Sequence, residues 1–299
     1  MMALVMTGFI LGGSIMASPP GAKDDAGAEG GANAVFLKGS EAILDKDYPA
    51  AFGFLSQGAA LDHAPSKAAL GFLCFHGWGC EKDIQKARRL YEESAEGGAH
   101  QGLNNLAHLY RYGLAGLDKD VPKAVELLEK AARLGNEKAA YTLADLYRGN
   151  ELGEADPPKC IAWLEFGAER NHAACLADLG FAYQHGIVVP QDIHKAAELF
   201  QKGIDAGSAR AASNLGHMYL VGKGVEQDYA KALSLFEQSA KENDVAGIIN
   251  LAVMRHNGLG CDSDPKAAFA LLDRAVEQGS DQAREMLKTW KAAESTKEN

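Results

Sequence analysis

An aspartate recurs along this 299-residue chain at a nearly constant spacing of 36 residues, and this period limits the fold more than any other feature. The seven occurrences are Asp47, Asp83, Asp120, Asp156, Asp192, Asp228 and Asp264. Two columns of large, mostly apolar residues keep the same period. One contains Leu55, Tyr91, Leu128, Leu164, Phe200, Phe236 and Leu272, and the other contains Leu70, Leu106, Leu143, Leu179, Leu215 and Leu251. The chain is therefore a tandem array of repeats.

Each repeat is predicted to form two helices. Helix A follows the pattern A-x-x-L-(G/A)-x-x-Y, as in residues 212–219, and its apolar positions three and four residues apart form one buried stripe. Helix B begins at the recurring aspartate, whose side chain can cap free backbone N–H groups. It ends at a glycine such as Gly207, which can adopt a left-handed C-terminal conformation. Because one helix pair buries its apolar face only by stacking on its neighbours, the sequence predicts an all-α solenoid.

The consensus L-G-x-x-Y-x-x-G-x-G-V-x-x-D-x-x-K-A-x-x-(L/W)-(F/Y) resembles the Sel1-like repeat, a relative of the tetratricopeptide repeat, and residues 213–240 match it almost position by position. The resemblance covers residues 66–279 as six full units, and residues 34–62 resemble a shorter first unit without the glycine loop. It implies a right-handed α/α superhelical solenoid over residues 34–290, built from seven helix pairs and a C-terminal capping helix. For function it implies protein–protein scaffolding, with no single activity shared by the family.

The two ends of the chain differ from the repeats. Residues 1–17 carry no charged side chain, which favours a cleaved export signal and hence a periplasmic or secreted protein. The alternative is an uncleaved N-terminal anchor that tethers the protein to a membrane. Residues 18–33 are rich in glycine and small polar residues and are predicted to be a flexible linker, and residues 291–299 a polar tail.

The segment Gly222-Lys223-Gly224 raises the question of a phosphate-binding loop. Such a loop needs G-x-x-x-x-G-K-(S/T) after a strand, whereas Lys223 has no Ser or Thr after it and no strand before it. The glycine pair also recurs in other repeats, as Gly77/Gly79 and Gly258/Gly260. We therefore interpret these glycines as residues that let the chain reverse between helices A and B.

The five cysteines and nine histidines form no recognisable catalytic or metal-binding motif. The cysteines occupy small or apolar columns of the repeat, where cysteine packs as a small hydrophobe, and a Cys74–Cys80 disulfide stays open as an alternative in an exported protein. His108 and His217 share a repeat column but lie in repeats too far apart to bind one ion. We interpret the histidines as polar surface residues and predict no metal and no cofactor.

The net charge of −10 argues against nucleic acid as a partner, since nucleic-acid-binding surfaces are basic. A hydrolase that acts on cell-wall or β-lactam substrates is the alternative to a scaffold, because such activity has been attributed to cysteine-rich relatives. Those relatives carry a regular cysteine pair in each repeat, which this chain lacks, and the chain has no Ser-x-x-Lys motif. We therefore predict a protein without catalytic activity whose partner is a protein or a peptide.

The predicted binding site centres on the position directly before the helix A leucine. A polar residue recurs there in five consecutive repeats, as Asn105, Thr142, Asp178, Asn214 and Asn250. In the related tetratricopeptide fold, helix A lines the concave groove and a residue at the matching position contacts bound peptide. The resemblance therefore implies a ladder that hydrogen-bonds an extended peptide. The alternative is that these side chains bond backbone groups of the adjacent helix.

Further predicted contacts lie one and two helical turns beyond this ladder. They are His108, Asp145, Phe181 and His217 on the first turn, and Arg111, Arg148, Gln184 and His256 on the second. The groove is expected to have basic spots at Arg111 and Arg148, acidic spots at Asp145 and Asp178, and an aromatic side chain at Phe181. This mixture suits a specific peptide better than a small molecule.

Overall fold

The computed structural model describes residues 29–295, and in that range the chain forms fifteen α-helices and no strand. The helices are α1 Glu29–Leu44, α2 Tyr48–Ala60, α3 Ala64–His76, α4 Ile84–Glu96, α5 His100–Tyr112, α6 Val121–Arg133, α7 Glu137–Arg148, α8 Pro157–Ala168, α9 Ala173–His185, α10 Ile193–Asp205, α11 Ala209–Val221, α12 Tyr229–Lys241, α13 Val245–Asn257, α14 Pro265–Glu277 and α15 Asp281–Ser295. The odd-numbered helices α1–α13 are the A helices and the even-numbered ones are the B helices, so the predicted all-α repeat architecture is confirmed.

The helices are distributed over two compact units that divide between Trp163 and Leu164, inside α8. Unit 1 contains α1–α7 and unit 2 contains α9–α15. Within each unit, helix A packs on helix B of its own repeat, and helix B packs on helix A of the next. Neighbouring A helices also touch, as α3 and α5 do in unit 1, and α9, α11 and α13 in unit 2. In each unit separately, we call the surface formed by its A helices the helix-A surface of that unit: α3, α5 and α7 in unit 1, and α9, α11 and α13 in unit 2.

The ends of the described range extend beyond the predicted solenoid. Helix α1 begins at Glu29, inside the segment predicted as linker, and α15 continues to Ser295, past the predicted end at residue 290. Residues 1–17, with the predicted export signal or anchor, lie outside the described residues. Between residues 29 and 295, no helix has the length and apolar character needed to cross a membrane.

The recurring aspartate caps helix B in all seven repeats, as predicted. Its carboxylate accepts a hydrogen bond from the backbone N–H three residues later, at 2.8–3.1 Å. From the second repeat onward, its own N–H donates to a carbonyl near the end of the preceding helix A, as Asp192 N–H does to Tyr183 O at 2.9 Å. The same residue therefore closes the A–B loop and starts helix B.

The paired glycines turn the chain, and the second glycine of the pair also permits a close backbone contact. Gly79 and Gly260 have φ of 70° and 72°, a left-handed conformation that side chains disfavour. A β-carbon at Gly79 would lie 2.1 Å from the carbonyl oxygen of Tyr48, and one at Gly260 would lie 2.6 Å from that of Tyr229. The turn interpretation is confirmed, and the loop also packs on the start of the preceding helix B.

The two predicted apolar columns form the core, and every member of both is buried. The residue after the helix A leucine varies with the size of the helix B residue that it faces. Gly71, Gly180 and Gly216 face the rings of Tyr91, Phe200 and Phe236, and a β-carbon there would lie 2.7–2.9 Å from ring atoms. Where the helix B residue is the smaller Leu128 or Leu272, the corresponding helix A residue is the buried Ala107 or Ala252. The size of the helix A residue thus complements the helix B residue in these repeats, whereas in the first repeat Gly39 faces Leu55 and a β-carbon there would lie 2.8 Å from the leucine side chain.

Replacing Gly216 by alanine is expected to destabilise the protein, although alanine favours helix. Crowding against Phe236 should cost about 1–3 kcal/mol, more than the roughly 1 kcal/mol gained from helix propensity. The denaturation midpoint of Gly216→Ala in urea should therefore fall, and the double variant with Phe236→Leu should show a favourable coupling energy. Gly53→Ala is the matched control, because nothing lies within 4 Å of a β-carbon there and the midpoint should rise. Equal effects of the two glycine substitutions would contradict the packing argument.

Candidate functional site

The five ladder positions all lie on A helices, but they differ in their hydrogen bonds. Asn105 and Thr142 lie on α5 and α7 of unit 1, and the other three lie on α9, α11 and α13 of unit 2. The Thr142 hydroxyl donates to the carbonyl of Lys138 in its own helix at 3.0 Å. The Asp178 carboxylate forms an ion pair with Arg210 of α11. These two side chains are therefore already engaged within the protein.

The three asparagines of the ladder have no such partners. Within residues 29–295, the amide groups of Asn105, Asn214 and Asn250 form no hydrogen bond with another residue. Asn105 is 9% exposed, and Asn214 and Asn250 are half-buried. The alternative in which the ladder bonds the backbone of an adjacent helix therefore does not hold for these three residues. Asn214 and Asn250 present a free donor and acceptor at the helix-A surface of unit 2, and the nearly buried Asn105 presents its amide to a small pocket in unit 1.

A small, shallow pocket that opens to solvent lies beside Asn105 in unit 1. Helices α1, α3 and α5 contribute its lining, which consists of Phe36, Pro65, Ala68, Ala69, Phe72, Gln101 and Asn105. The lining is mostly apolar, with the two amide side chains both on α5. The sequence analysis missed Phe36, Phe72 and Gln101. Phe72 lies 36 residues before His108 and so shares its repeat column, and this shared column is the signal in the sequence that could have identified Phe72 as a site residue.

An aromatic and histidine cluster continues from the pocket along the helix-A surface of unit 1. The Phe72 and His76 rings lie 4.3 Å apart, Phe75 and His108 lie 6.3 Å apart, and His76 lies 5.2 Å from Trp78. Burial and the nearby Lys82 lower the pKa of His76, and burial, Arg111 and His76 lower the pKa of His108. Both imidazole rings are half-buried beside aromatic neighbours.

The predicted charges on the helix-A surface largely pair with one another. Arg111 binds Glu151 in the loop before α8, with Nε 3.2 Å from Oε1, and lies 3.4 Å from Asp145 of α7. Burial lowers the pKa of Arg111, but the hydrogen bond to Glu151, the nearby Tyr112, the charge of Glu151 and the hydrogen bond to Asp145 together raise it overall. The predicted basic spot at Arg111 and acidic spot at Asp145 are therefore one ion pair. Arg148 is exposed.

The remaining predicted contacts in unit 2 are divided between exposed and covered positions. Phe181 is 44% exposed beside His185, at a ring distance of 4.2 Å, and His217 is exposed. Gln184 is only 7% exposed, so the prediction that its side chain lines the surface is wrong. The His256 ring stacks on the Trp290 ring of α15, with their centres 4.0 Å apart. One face of His256 is therefore covered by the C-terminal helix. The sequence analysis missed Trp290 because it lies outside the repeat columns.

This arrangement of capped helix pairs agrees with a comparison against known families. The Sel1 repeat matches seven segments of the chain, at residues 32–63, 64–98, 100–136, 137–172, 173–208, 209–244 and 245–280. The chain belongs to the Sel1 repeat family. The first match includes residues 34–62, which the sequence analysis took as a shorter first unit without the glycine loop. Sel1 repeats generally serve as non-catalytic scaffolds that mediate protein–protein interaction.

Solved structures of Sel1 repeat proteins resemble this one over most of its length. A Sel1 repeat protein from Oxalobacter formigenes is 25% identical with a TM-score of 0.73, and the match covers 81% of this chain and 99% of that one. A protective antigen present in uropathogenic Escherichia coli strains, with an SLR fold, is 26% identical with a TM-score of 0.69. That match covers 87% of this chain and 56% of the antigen, so this Sel1 repeat protein spans about half the length of the antigen. No curated protein matches the chain significantly.

Acidification is expected to destabilise unit 1 through His108. Its folded-state pKa lies below the usual 6.5, so the folded protein binds fewer protons than the unfolded chain just below that pH. The stability is therefore complete above about pH 6.5 and falls as the pH drops below it. Urea denaturation midpoints at about pH 7.5 and about pH 5.5 should differ less in His108→Gln than in the wild type. The same pH dependence in both proteins would show that His108 contributes nothing to it.

Proposed function

We propose that this Sel1 repeat protein is a non-catalytic scaffold that holds an extended peptide or protein segment against its helix-A surface. In unit 1 the hydrogen-bonding group for the backbone of a bound segment is Asn105, and in unit 2, taken by itself, the corresponding groups are Asn214 and Asn250. An asparagine amide can donate to a peptide carbonyl and accept from a peptide N–H at the same time. Because every peptide has the same backbone groups, such contacts can hold peptides of different sequence.

One observation carries the proposal. Five residues share the ladder column, and the two that can pair internally do so, whereas Asn105, Asn214 and Asn250 have no hydrogen-bond partner in the described part of the chain. Partly covered polar groups without a protein partner are available to a ligand at little cost. A ligand that excludes water from them must supply the missing hydrogen bonds.

The pocket in unit 1 supports the proposal with an apolar contact beside Asn105. Phe36 and Phe72 provide aromatic surface, and Ala68 and Ala69 leave space between them. An apolar side chain of the peptide packs on this aromatic surface while the peptide backbone faces Asn105 and Gln101. An apolar contact beside a few fixed polar groups is typical of peptide recognition.

A displayed library of random peptides tests this function without knowledge of the natural partner. The full chain should enrich binding peptides, and Asn105→Ala, Asn214→Ala and Asn250→Ala should weaken their binding. Each substitution should raise the Kd about threefold to tenfold, since one neutral hydrogen bond contributes about 0.5–1.5 kcal/mol. The matched controls are Gln85→Ala in α4 and Gln238→Ala in α12, which remove exposed amides from B helices. These two variants should bind as the wild type does.

Two results would contradict the proposal. Peptides that bind all three asparagine variants and the wild type equally would move the interaction away from the helix-A surface. Measurable turnover of a chromogenic β-lactam by the purified chain would favour the hydrolase alternative, provided that the denatured chain shows no turnover.

We also propose that the protein acts outside the cytoplasm. The uncharged apolar stretch within residues 1–17 is the motif that supports export. N-terminal sequencing of the protein purified from its native cells should find a mature chain that begins after Ala17. A chain that retains residues 1–17 and sediments with membranes would favour the anchor instead, and one that retains them in the soluble cytoplasmic fraction would refute export.

A further inference from the structure

Two leucines are exposed on the outer face of α1, the first described helix of unit 1. Leu37 is 45% exposed and Leu44 is 51% exposed. They lie seven residues apart, so they belong to one stripe along the helix. The opposite face of α1 contains the buried Ala42 and Ile43 and packs on α2. The fold of unit 1 therefore leaves this apolar stripe open.

The position of Leu37 is covered in the next repeat. Gly39 of α1 and Gly71 of α3 each face the core residue of their own helix B, and this shared contact aligns the two helices. In that alignment Leu37 matches Ala69, which is only 6% exposed. Helix α3 follows a complete helix pair, whereas no helix of the described range precedes α1. The exposure of Leu37 thus results from its place at the end of the array.

Charged residues beside the stripe exclude a further repeat as its occupant. Lys38 and Glu41 of α1 align with Leu70 and Leu73 of α3, which are buried in the core. A helix pair that stacked on α1 as the first pair stacks on α3 would bury these two charges in an apolar interface, at a high cost. The face therefore suits an occupant that offers both apolar surface and charges.

Three charged side chains lie on the same flank of the leucine stripe and have no internal partner. Lys38, Glu41 and Asp45 are all exposed, and within residues 29–295 none of them forms an ion pair. Asp45 directly follows α1, and its N–H still donates to the carbonyl of Glu41 at 2.9 Å, so it continues the helical turn. We call Leu37, Lys38, Glu41, Leu44 and Asp45 the α1 face.

We propose that the α1 face binds the α1 face of a second copy of this chain, in an antiparallel dimer with two-fold symmetry. Leu37 and Leu44 are equally distant from the midpoint between Ser40 and Glu41. A two-fold axis through that midpoint sets Leu37 of each copy on Leu44 of the other. The face is therefore complementary to itself, as an interface between identical subunits must be.

The same axis also matches the charges. It brings the charged flanks of both helices to the same side, with the sequence running in opposite directions. Lys38 of one copy then lies midway between Glu41 and Asp45 of the other, about 3 Å from each along the helix axis. A parallel pair would instead set Lys38 on Lys38, and like charges disfavour it. Because the face is small, the dimer is weak and reversible.

Sedimentation equilibrium of the purified full chain tests the inference. Between about 1 µM and about 500 µM the average mass should rise from that of a monomer towards that of a dimer. Leu37→Glu and Leu44→Glu should each raise the dissociation constant at least about tenfold, because each places a carboxylate in the apolar contact twice per dimer. Leu134→Glu is the matched control, since Leu134 is 54% exposed directly after α6 and its variant should associate as the wild type does.

A charge exchange provides a second test that does not depend on the leucine variants. Lys38→Glu makes the flank wholly acidic, and the double variant Glu41→Lys with Asp45→Lys makes it wholly basic. Each of these proteins alone should dimerise less than the wild type at low salt. An equimolar mixture of the two should associate more than either alone, because opposite flanks then meet.

Three outcomes would overturn the inference. They are a wild type that stays monomeric at the highest concentration, association that Leu37→Glu and Leu44→Glu do not weaken, and a charge-exchanged mixture that associates no more than its components. A monomeric wild type whose thermal midpoint falls on Leu37→Glu substitution would show instead that the stripe is covered within the chain, by residues 1–28.

Discussion

The backbone N–H of one recurring aspartate is the interaction on which each of the later repeats depends. It donates to the carbonyl near the end of helix A, with distances of 2.7–3.0 Å in the six repeats from Asp83 to Asp264. The carboxylate of the same residue caps the next helix at 2.8–3.1 Å. Six loops that differ in sequence therefore return the chain to the same point and start helix B in the same direction. Without this shared geometry, apolar columns 36 residues apart would not meet.

The packing between the helices adapts to each repeat around that fixed geometry. Each of the three rings on helix B faces a glycine on helix A, whereas Leu128 and Leu272 are matched with Ala107 and Ala252, so the helices approach to suit the local side chains. Gly216 and Phe236 form one matched pair, and Ala252 and Leu272 form another. Replacing one member of a pair by its counterpart from the other pair would crowd the interface or leave a gap. Stability in such an array is a sum of local interfaces, and each interface depends on its own complementary pair.

The candidate binding surface consists of the groups that this fold leaves unused. Arg111 is neutralised by Glu151 and Asp145, Asp178 pairs with Arg210, and Thr142 bonds its own helix. The asparagine amides remain, beside an apolar pocket and covered histidine rings in unit 1 and beside the exposed Phe181 and His217 in unit 2. The shared Sel1 fold cannot distinguish one partner from another, so specificity must come from these different side chains.

The sequence by itself determined the repeat, the helix boundaries near each aspartate, the buried columns and the ladder position, because each depends on residues that recur at a fixed period. Tertiary structure alone decided which of those residues were free. The period assigns Arg111, Gln184 and His256 to columns that face the surface. However, Arg111 reaches a loop residue 40 positions away, Gln184 is buried, and His256 lies under Trp290 of the last helix. A periodic pattern specifies where a side chain starts, whereas the groups that it contacts depend on its length and on non-repeating neighbours brought close by folding.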